Sequence, residues 1–106
     1  MLKLPIYEKN EIVKTYEVQD FVIPYGIIQD ILKIIEPEKL NDTVAIAGMV
    51  VTSLKEVNDL LLDLFPGLTE EELRHADLGD VVDVVIEIAL YAVNKLTRGL
   101  SLKKGA

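Results

Sequence analysis

The chain has 106 residues, enough for one domain, and carries 18 acidic against 11 basic side chains, a formal net charge of −7. This acidity disfavours nucleic-acid binding, which needs lysine and arginine to displace counterions from phosphates. The absence of cysteine excludes disulfides and thiolate chemistry. Neither a signal peptide nor an apolar run of the roughly 20 residues that a membrane span needs is visible. We therefore expect a cytoplasmic protein that binds neither nucleic acid nor membrane.

Half of the residues are hydrophobic, yet only 6% are aromatic. The apolar side chains are therefore mainly leucine, isoleucine and valine, which fill helix interfaces well but form few stacking platforms for bases or sugars. A chain of this size buries only about two-thirds of its unfolded surface. Part of the aliphatic surface is therefore expected to be covered by another chain.

The N-terminal segment predicts a β-hairpin over residues 2–18, with a turn at Glu8–Glu11 because Asn10 tolerates positive φ. Pro5 cannot donate a ladder hydrogen bond, which favours an edge position for the first strand. Apolar side chains alternate along both halves, with Lys14 as the exception: Leu2, Leu4 and Ile6, then Ile12, Tyr16 and Val18.

Helical signals follow the hairpin. Pro24 suits a first helical turn, Pro37 ends that helix, and Asn41 or Asp42 can cap the next one. Gly99 suits a left-handed helix stop. The predicted helices span about residues 24–36, 42–64, 69–75 and 78–98. A flexible basic tail is predicted at residues 100–106. We predict a mainly α (α+β) fold, in which an N-terminal β-hairpin precedes a bundle of three to four helices in one domain, residues 1–99.

The second predicted helix has an unusual first half, VAIAGMVV, with no polar side. A helix that is apolar all round must be covered on all sides, which is demanding in a small domain. One interpretation is a central core helix. The other is that small and flexible residues let a partner helix approach: Ala45, Ala47, Gly48 and Met49.

The acidic stretch FPGLTEEELRHADLGD contains two helix-start signals. Thr69 with Glu72 forms the pattern of a capping box, in which each side chain bonds the other residue's backbone amide. Asp77 with Asp80 repeats the arrangement for the last helix. Acidic residues in a first helical turn also complement the helix dipole.

The same stretch holds the single histidine, His75, three residues after Glu72. Glu-x-x-His spacing places two metal ligands on one helix face, and di-iron bundles use the motif twice. A second histidine does not exist here, and a zinc site from His75 and Glu71 lacks a third good ligand. We interpret His75 as a helix C-terminal residue and predict no metal, no cofactor and no enzymatic activity.

The order of these parts is distinctive. A charged hairpin, IYEKNEIVKTYEV, leads to IPYGIIQDILKIIE, and a long helix ends in LLLDLFPGLTEEELRHADLGDVVDVVIEI before a short basic end. Over about residues 2–99, the chain resembles the tail assembly chaperones of siphophages and prophages of Gram-positive bacteria. None of the shared pieces is a catalytic motif, so the resemblance rests on their order and spacing. The most telling pieces are Tyr25-Gly26 with Gln29-Asp30-Ile31-Leu32, and Phe65 to Glu72 with the following segment 77–85.

The resemblance implies a small, mostly helical protein encoded beside the tape measure protein, a very long apolar helical chain. It implies that this chain coats the tape measure protein in the bacterial host cytoplasm and keeps it soluble. It also implies that the chain helps tail tube subunits gather and is absent from the finished virion. Self-association and, in many members, a longer form made by translational frameshifting are further implications.

We predict that two helices bind the tape measure protein by helix-in-groove contacts, with Met49 giving adaptability to varied sequence. For each residue the alternative is a place in the core. The predicted contact residues are Ile46, Met49, Val50 and Val51 of the second helix and Val82, Val85, Ile86 and Ala89 of the last one.

Two other functions are compatible with the sequence. One is an acidic interaction module, such as an inhibitor or adaptor that binds a basic protein through charge and loses that binding in salt. The other is a minor structural tail protein, which would be found in purified particles.

Overall fold

A computed structural model describes residues 2–19, 23–39 and 41–105, and shows a two-stranded hairpin followed by helices. The predicted α+β fold is confirmed. The strands are β1, Leu2–Glu8, and β2, Glu11–Val18. The α-helices are α1, Tyr25–Ile34; α2, Thr43–Thr52; α3, Leu54–Leu64; α4, Glu70–Leu73; and α5, Leu78–Gly105, with one 3-10 turn at Pro37–Lys39 between α1 and α2.

The hairpin turn lies where the sequence places it. Lys9 and Asn10 both adopt positive φ, 52° and 67°, between two antiparallel strands. Two consecutive left-handed residues make the turn whose twist matches that of the flanking strands, which is why asparagine is favoured there. The alternation predicted for β1 is also confirmed, because its three apolar residues, Leu2, Leu4 and Ile6, are all buried.

The alternation predicted for β2 is wrong at Ile12. The register shifts after Ile6, so that Ile6 lies opposite Lys14 and Tyr7 lies opposite Ile12, leaving Val13 as the extra residue of a bulge. A bulge changes which face the following residues occupy. Tyr16 is therefore buried, whereas the side chain of Ile12 is 56% exposed.

The predicted helix over 42–64 is two helices rather than one. It is interrupted at Ser53, whose backbone leaves the helical region at φ −124° and ψ 36°. Just before the break, the Thr52 hydroxyl donates to the carbonyl oxygens of Gly48 and Met49, at 3.1 Å each. Such back-bonding bends helices. The start was predicted correctly, since the Asp42 carboxylate accepts the Ala45 amide at 3.0 Å.

Three other helix bounds differ from the prediction. The first helix ends at Ile34, two residues early, and α4 ends at Leu73. In contrast, α5 continues through Gly99 to Gly105, so the predicted helix end at residue 98 with a left-handed stop at Gly99 is wrong. Glycine permits a left-handed stop but does not impose one. Residue 106 lies outside the described residues.

One apolar cluster holds the hairpin to the helices. Phe65, which follows α3 directly, is fully buried, and its ring lies edge to face with that of Tyr16 at a centroid distance of 6.5 Å. Helix α1 packs against α3 and α5, and α5 also packs against β1. The amphipathic face of α3 supplies a large part of the cluster: Val57, Leu60, Leu61 and Leu64.

Candidate interaction surface

Helix α2 has no charged residue, yet it is covered on one side only. Ile46 and Val50, four residues apart, are fully buried where α2 packs against α3 and α5. The opposite side lies at the surface. Val44 is 83% exposed and Val51 is 51% exposed.

The exposed apolar residues of α2 and the exposed Gly48 lie on one helix face together with half-buried Ala47, since positions i, i+3, i+4 and i+7 are neighbours there. We call this set the α2 stripe: Val44, Ala47, Gly48 and Val51. Ala47 is half-buried and Gly48 is exposed. Leu54, which begins α3 directly after the break, is also exposed. The stripe is an aliphatic strip without a polar side chain at the surface of an otherwise charged protein.

Gly48 has no structural requirement within the chain. A Cβ atom built on it meets no heavy atom within 4 Å, and its φ is not positive. A glycine inside a helix costs about 0.5–1 kcal/mol relative to alanine. The fold therefore gains nothing from this glycine, whereas a partner backbone could approach α2 closely there.

The eight residues predicted to bind a partner divide between core and surface. Five of them are buried in the isolated chain: Ile46, Val50, Val82, Val85 and Ala89. Met49 and Ile86 are half-buried against the core, and Val51 is exposed. Only Val51 thus presents most of its side chain to a partner without rearrangement of the core.

Val44 was not among the predicted contact residues, and Ala47 and Gly48 were predicted only to let a partner helix approach. A helix without a polar face gives no sequence signal for its outer side, so periodicity could not have chosen between Val44 and Ile46.

The acidic stretch around His75 forms helix caps, as predicted. Thr69 and Glu72 make both halves of the capping box, with the Glu72 amide donating to the Thr69 hydroxyl at 3.1 Å. His75 Nε2 lies 3.7 Å from the Glu71 carboxylate, and both side chains are largely exposed. Within residues 2–19, 23–39 and 41–105, no three histidine, cysteine or acidic side chains come together as a metal site would require.

The predicted second capping box is only half formed. The Asp77 carboxylate accepts the amides of Gly79 at 2.9 Å and Asp80 at 3.3 Å, as an N-cap does. The Asp80 carboxylate instead accepts the hydroxyl of Tyr7 from β1 at 3.3 Å. Partial burial raises the pKa of Tyr7, and the nearby Asp80 carboxylate raises it further. This contact ties the start of α5 to the hairpin.

Glu72 also joins α4 to the hairpin. Its carboxylate accepts the Tyr16 hydroxyl at 2.5 Å and pairs with Lys14 at 3.3 Å. The hydrogen bond from Tyr16 lowers the pKa of Glu72 below its ordinary 4.5, and the Lys14 and Thr69 contacts act in the same direction against partial desolvation. The pKa of Lys14 is raised, most strongly by its side-chain interaction with Tyr16 and next by that with Glu72.

The lowered pKa of Glu72 predicts an acid-sensitive contribution to stability. A carboxylate with a depressed folded-state pKa stabilises the fold fully above its unfolded pKa, and this contribution disappears as the pH falls through the folded value. The thermal midpoints of the protein and of Glu72→Gln are therefore expected to differ most above pH 5 and to approach each other as the pH falls below the ordinary glutamate value of 4.5. Glutamine keeps the capping box, so the difference reports the charge.

The matched control is Glu70→Gln, which removes an exposed acid from the same turn. Its thermal midpoint at pH 7 should shift from that of the parent protein much less than that of Glu72→Gln, because Glu70 complements only the helix dipole. An equal gap between parent and Glu72→Gln at pH 3 and pH 7 would contradict the assignment.

No protein-family profile, characterised protein or solved structure matches the chain. Among the helices in the described part of the chain, none combines the length and the apolar character needed to cross a bilayer.

Proposed function

We propose that this protein is a phage tail assembly chaperone that binds the apolar helices of a tape measure protein in the bacterial cytoplasm. It keeps the tape measure protein soluble, promotes the assembly of tail tube subunits around it and does not remain in the virion. The sequence resemblance names the partner. The observation that carries the proposal is the α2 stripe, an exposed apolar helix face on an acidic domain.

The stripe matches an apolar helix in shape and chemistry. An amphipathic or apolar helix binds such a surface through residues spaced three and four apart, as in helix-in-groove recognition. The small residues Ala47 and Gly48 lie between Val44 and Val51, so a partner backbone can come close at the centre of the contact while the valines flank it. Dispersion contacts and apolar burial then supply the affinity.

The charge of the chain supports the same function. With a net charge of −7, copies of the chaperone bound along one apolar partner repel other coated complexes and keep them in solution. The acidic side chains lie at helix caps and on solvent-exposed helix faces, and the α2 stripe itself carries no charge. Charge therefore provides solubility and the stripe provides binding.

Co-expression with the tape measure protein expected beside it in the genome tests the proposal. We expect a larger soluble fraction of the tape measure protein and co-purification that survives high salt, because apolar contacts are not screened. Persistent insolubility of the tape measure protein, with this chain folded, would contradict the proposal. Binding that disappears at moderate salt would instead identify an acidic interaction module, and presence in purified particles would identify a structural tail protein.

Substitution of Gly48 separates stability from binding. Gly48→Ala and Gly48→Leu are each expected to stabilise the fold by about 0.5–1 kcal/mol, since both residues favour helix and the site is open. Binding of the tape measure protein should fall in Gly48→Leu, whose side chain blocks close approach, and much less in Gly48→Ala. Thermal unfolding and co-purification measure the two effects. Full binding by the leucine variant would show that no backbone approaches Gly48.

A further inference from the structure

Helix α2 is attached to the rest of the domain differently from its neighbours. Its only side-chain hydroxyls are those of Thr43 and Thr52, and Thr52 donates to carbonyl oxygens of its own helix. Across residues 2–19, 23–39 and 41–105, no side-chain hydrogen bond or ion pair joins α2 to another element. The hairpin, in contrast, is joined to α4 and α5 by such bonds. Apolar packing alone therefore holds the side chains of α2 in place.

The packing of α2 against the core is small. Two of its ten residues, Ile46 and Val50, are buried, with Ala47 and Met49 half-buried, whereas α3 buries four of its eleven residues. Elements with few buried apolar contacts are those that open at the lowest free energy. A helix of this length is also marginal in water by itself. The stability of α2 therefore depends mainly on two side chains.

Neither end of α2 is anchored in the core. The Ser53 amide donates to the Val50 carbonyl at 3.2 Å, and the Ser53 carbonyl accepts the Val57 amide of α3 at 3.0 Å. Helix α3 thus begins at Ser53 with hydrogen bonds of its own. At the other end, the connection 36–42 is exposed wherever its side chains are described, and its seven residues can extend to about 23 Å. Both connections therefore permit α2 to move while its neighbours stay folded.

We infer that α2 is a hinged arm, which opens about Ser53 while the rest of the domain stays folded. Opening exposes Ile46 and Val50 together with the surface of α3 and α5 that they cover. These two residues were predicted to contact a partner and are buried in the closed chain, so opening gives them a route to an apolar helix. The opening is a property of the free chain, and only its use in binding rests on the proposed function.

The absence of cysteine makes the opening measurable, because one introduced cysteine is the only thiol of the chain. Val50→Cys places the thiol on the buried side of α2. Val84→Cys places it on α5, where Val84 is 2% exposed and lies beside Lys3 and Pro5 of β1. Both variants are treated with excess iodoacetamide, and labelling is followed by mass spectrometry. We expect Val50→Cys to be labelled about 10-fold faster or more, because only local opening is needed.

The dependence on urea distinguishes local from global opening. Labelling of Val50→Cys should rise less steeply with urea than global unfolding followed by circular dichroism, since opening of one helix exposes less surface. Adding Phe65→Leu, at the far end of α3 from Ser53, weakens the core without touching the arm. It should accelerate labelling of Val84→Cys about 5-fold and leave that of Val50→Cys within about 2-fold.

Equal labelling rates for the two thiols, with the urea dependence of global unfolding, would overturn the inference. Equal acceleration of both by Phe65→Leu would overturn it as well, since α2 would then open only with the whole domain. Because these measurements use the free protein, they are separate from co-purification with the tape measure protein. An arm that opens in a chain that leaves the tape measure protein insoluble would contradict the proposed function and not the hinge.

Discussion

Under the proposed function, replacing Val44 by glutamate and Val51 by lysine together is expected to abolish co-purification of the tape measure protein while leaving this protein folded. Both side chains are mostly exposed, so the fold loses little. Each new charge also suits the helix dipole, the acid near the start of α2 and the base near its end. Burying these charges against an apolar partner should weaken binding at least about 100-fold, or about 3 kcal/mol.

The double variant keeps the net charge at −7, since one negative and one positive charge are added. A change in bulk electrostatics therefore cannot explain lost binding. The matched control is Leu78→Glu with Leu90→Lys on α5, which makes the same exchange at two other exposed apolar positions. Equal loss of binding in both variants, or none in the α2 variant, would show that the stripe is not the contact surface.

The largest loss of stability is expected for Phe65→Ala, at about 3–5 kcal/mol. The ring is 0% exposed and lies edge to face with Tyr16, so its removal leaves a cavity between the hairpin and the end of α3. Small domains have only about 5–15 kcal/mol in total. A large fraction of the protein's stability therefore depends on this one side chain.

Urea unfolding followed by circular dichroism measures the effect. Phe65→Leu serves as the control, because it keeps part of the apolar volume and should cost clearly less. A loss under about 1 kcal/mol in Phe65→Ala would mean that the hairpin is not held by this contact. Phe65→Ala is expected to lose stability, whereas the charged α2 variant is expected to lose binding and stay folded. Measuring the stability and the binding of both variants therefore distinguishes a failure to fold from a failure to bind.

Features set within a few residues of the chain were predictable from sequence. The Asp42 cap, the Thr69–Glu72 capping box and the left-handed turn at Lys9 and Asn10 depend on local hydrogen bonds and backbone preferences. Local interactions act the same way wherever the segment lies in the fold. Alternation in β1 was predictable for a related reason, since one face of that strand is buried from Leu2 to Ile6.

Features that depend on distant partners were not predictable. The bulge at Val13 changes the face of Ile12, and the break at Ser53 divides one predicted helix into two. The back-bonding of Thr52 favours a bend, but neither segment alone requires a bulge or a complete break. These changes permit Tyr16 to reach Glu72 and α3 to turn its own apolar face inward, contacts that join residues far apart in sequence.

The candidate binding surface shows the same division. Sequence alone determined that α2 is apolar on all sides and that a domain this small has difficulty covering it. Only the tertiary structure decided which side is covered: α3 and α5 pack over Ile46 and Val50, leaving Val44 and Val51 at the surface. The hydrophobic effect depends on the apolar area removed from water and has no preferred direction. The packing of α3 and α5 therefore determines which side of α2 is buried.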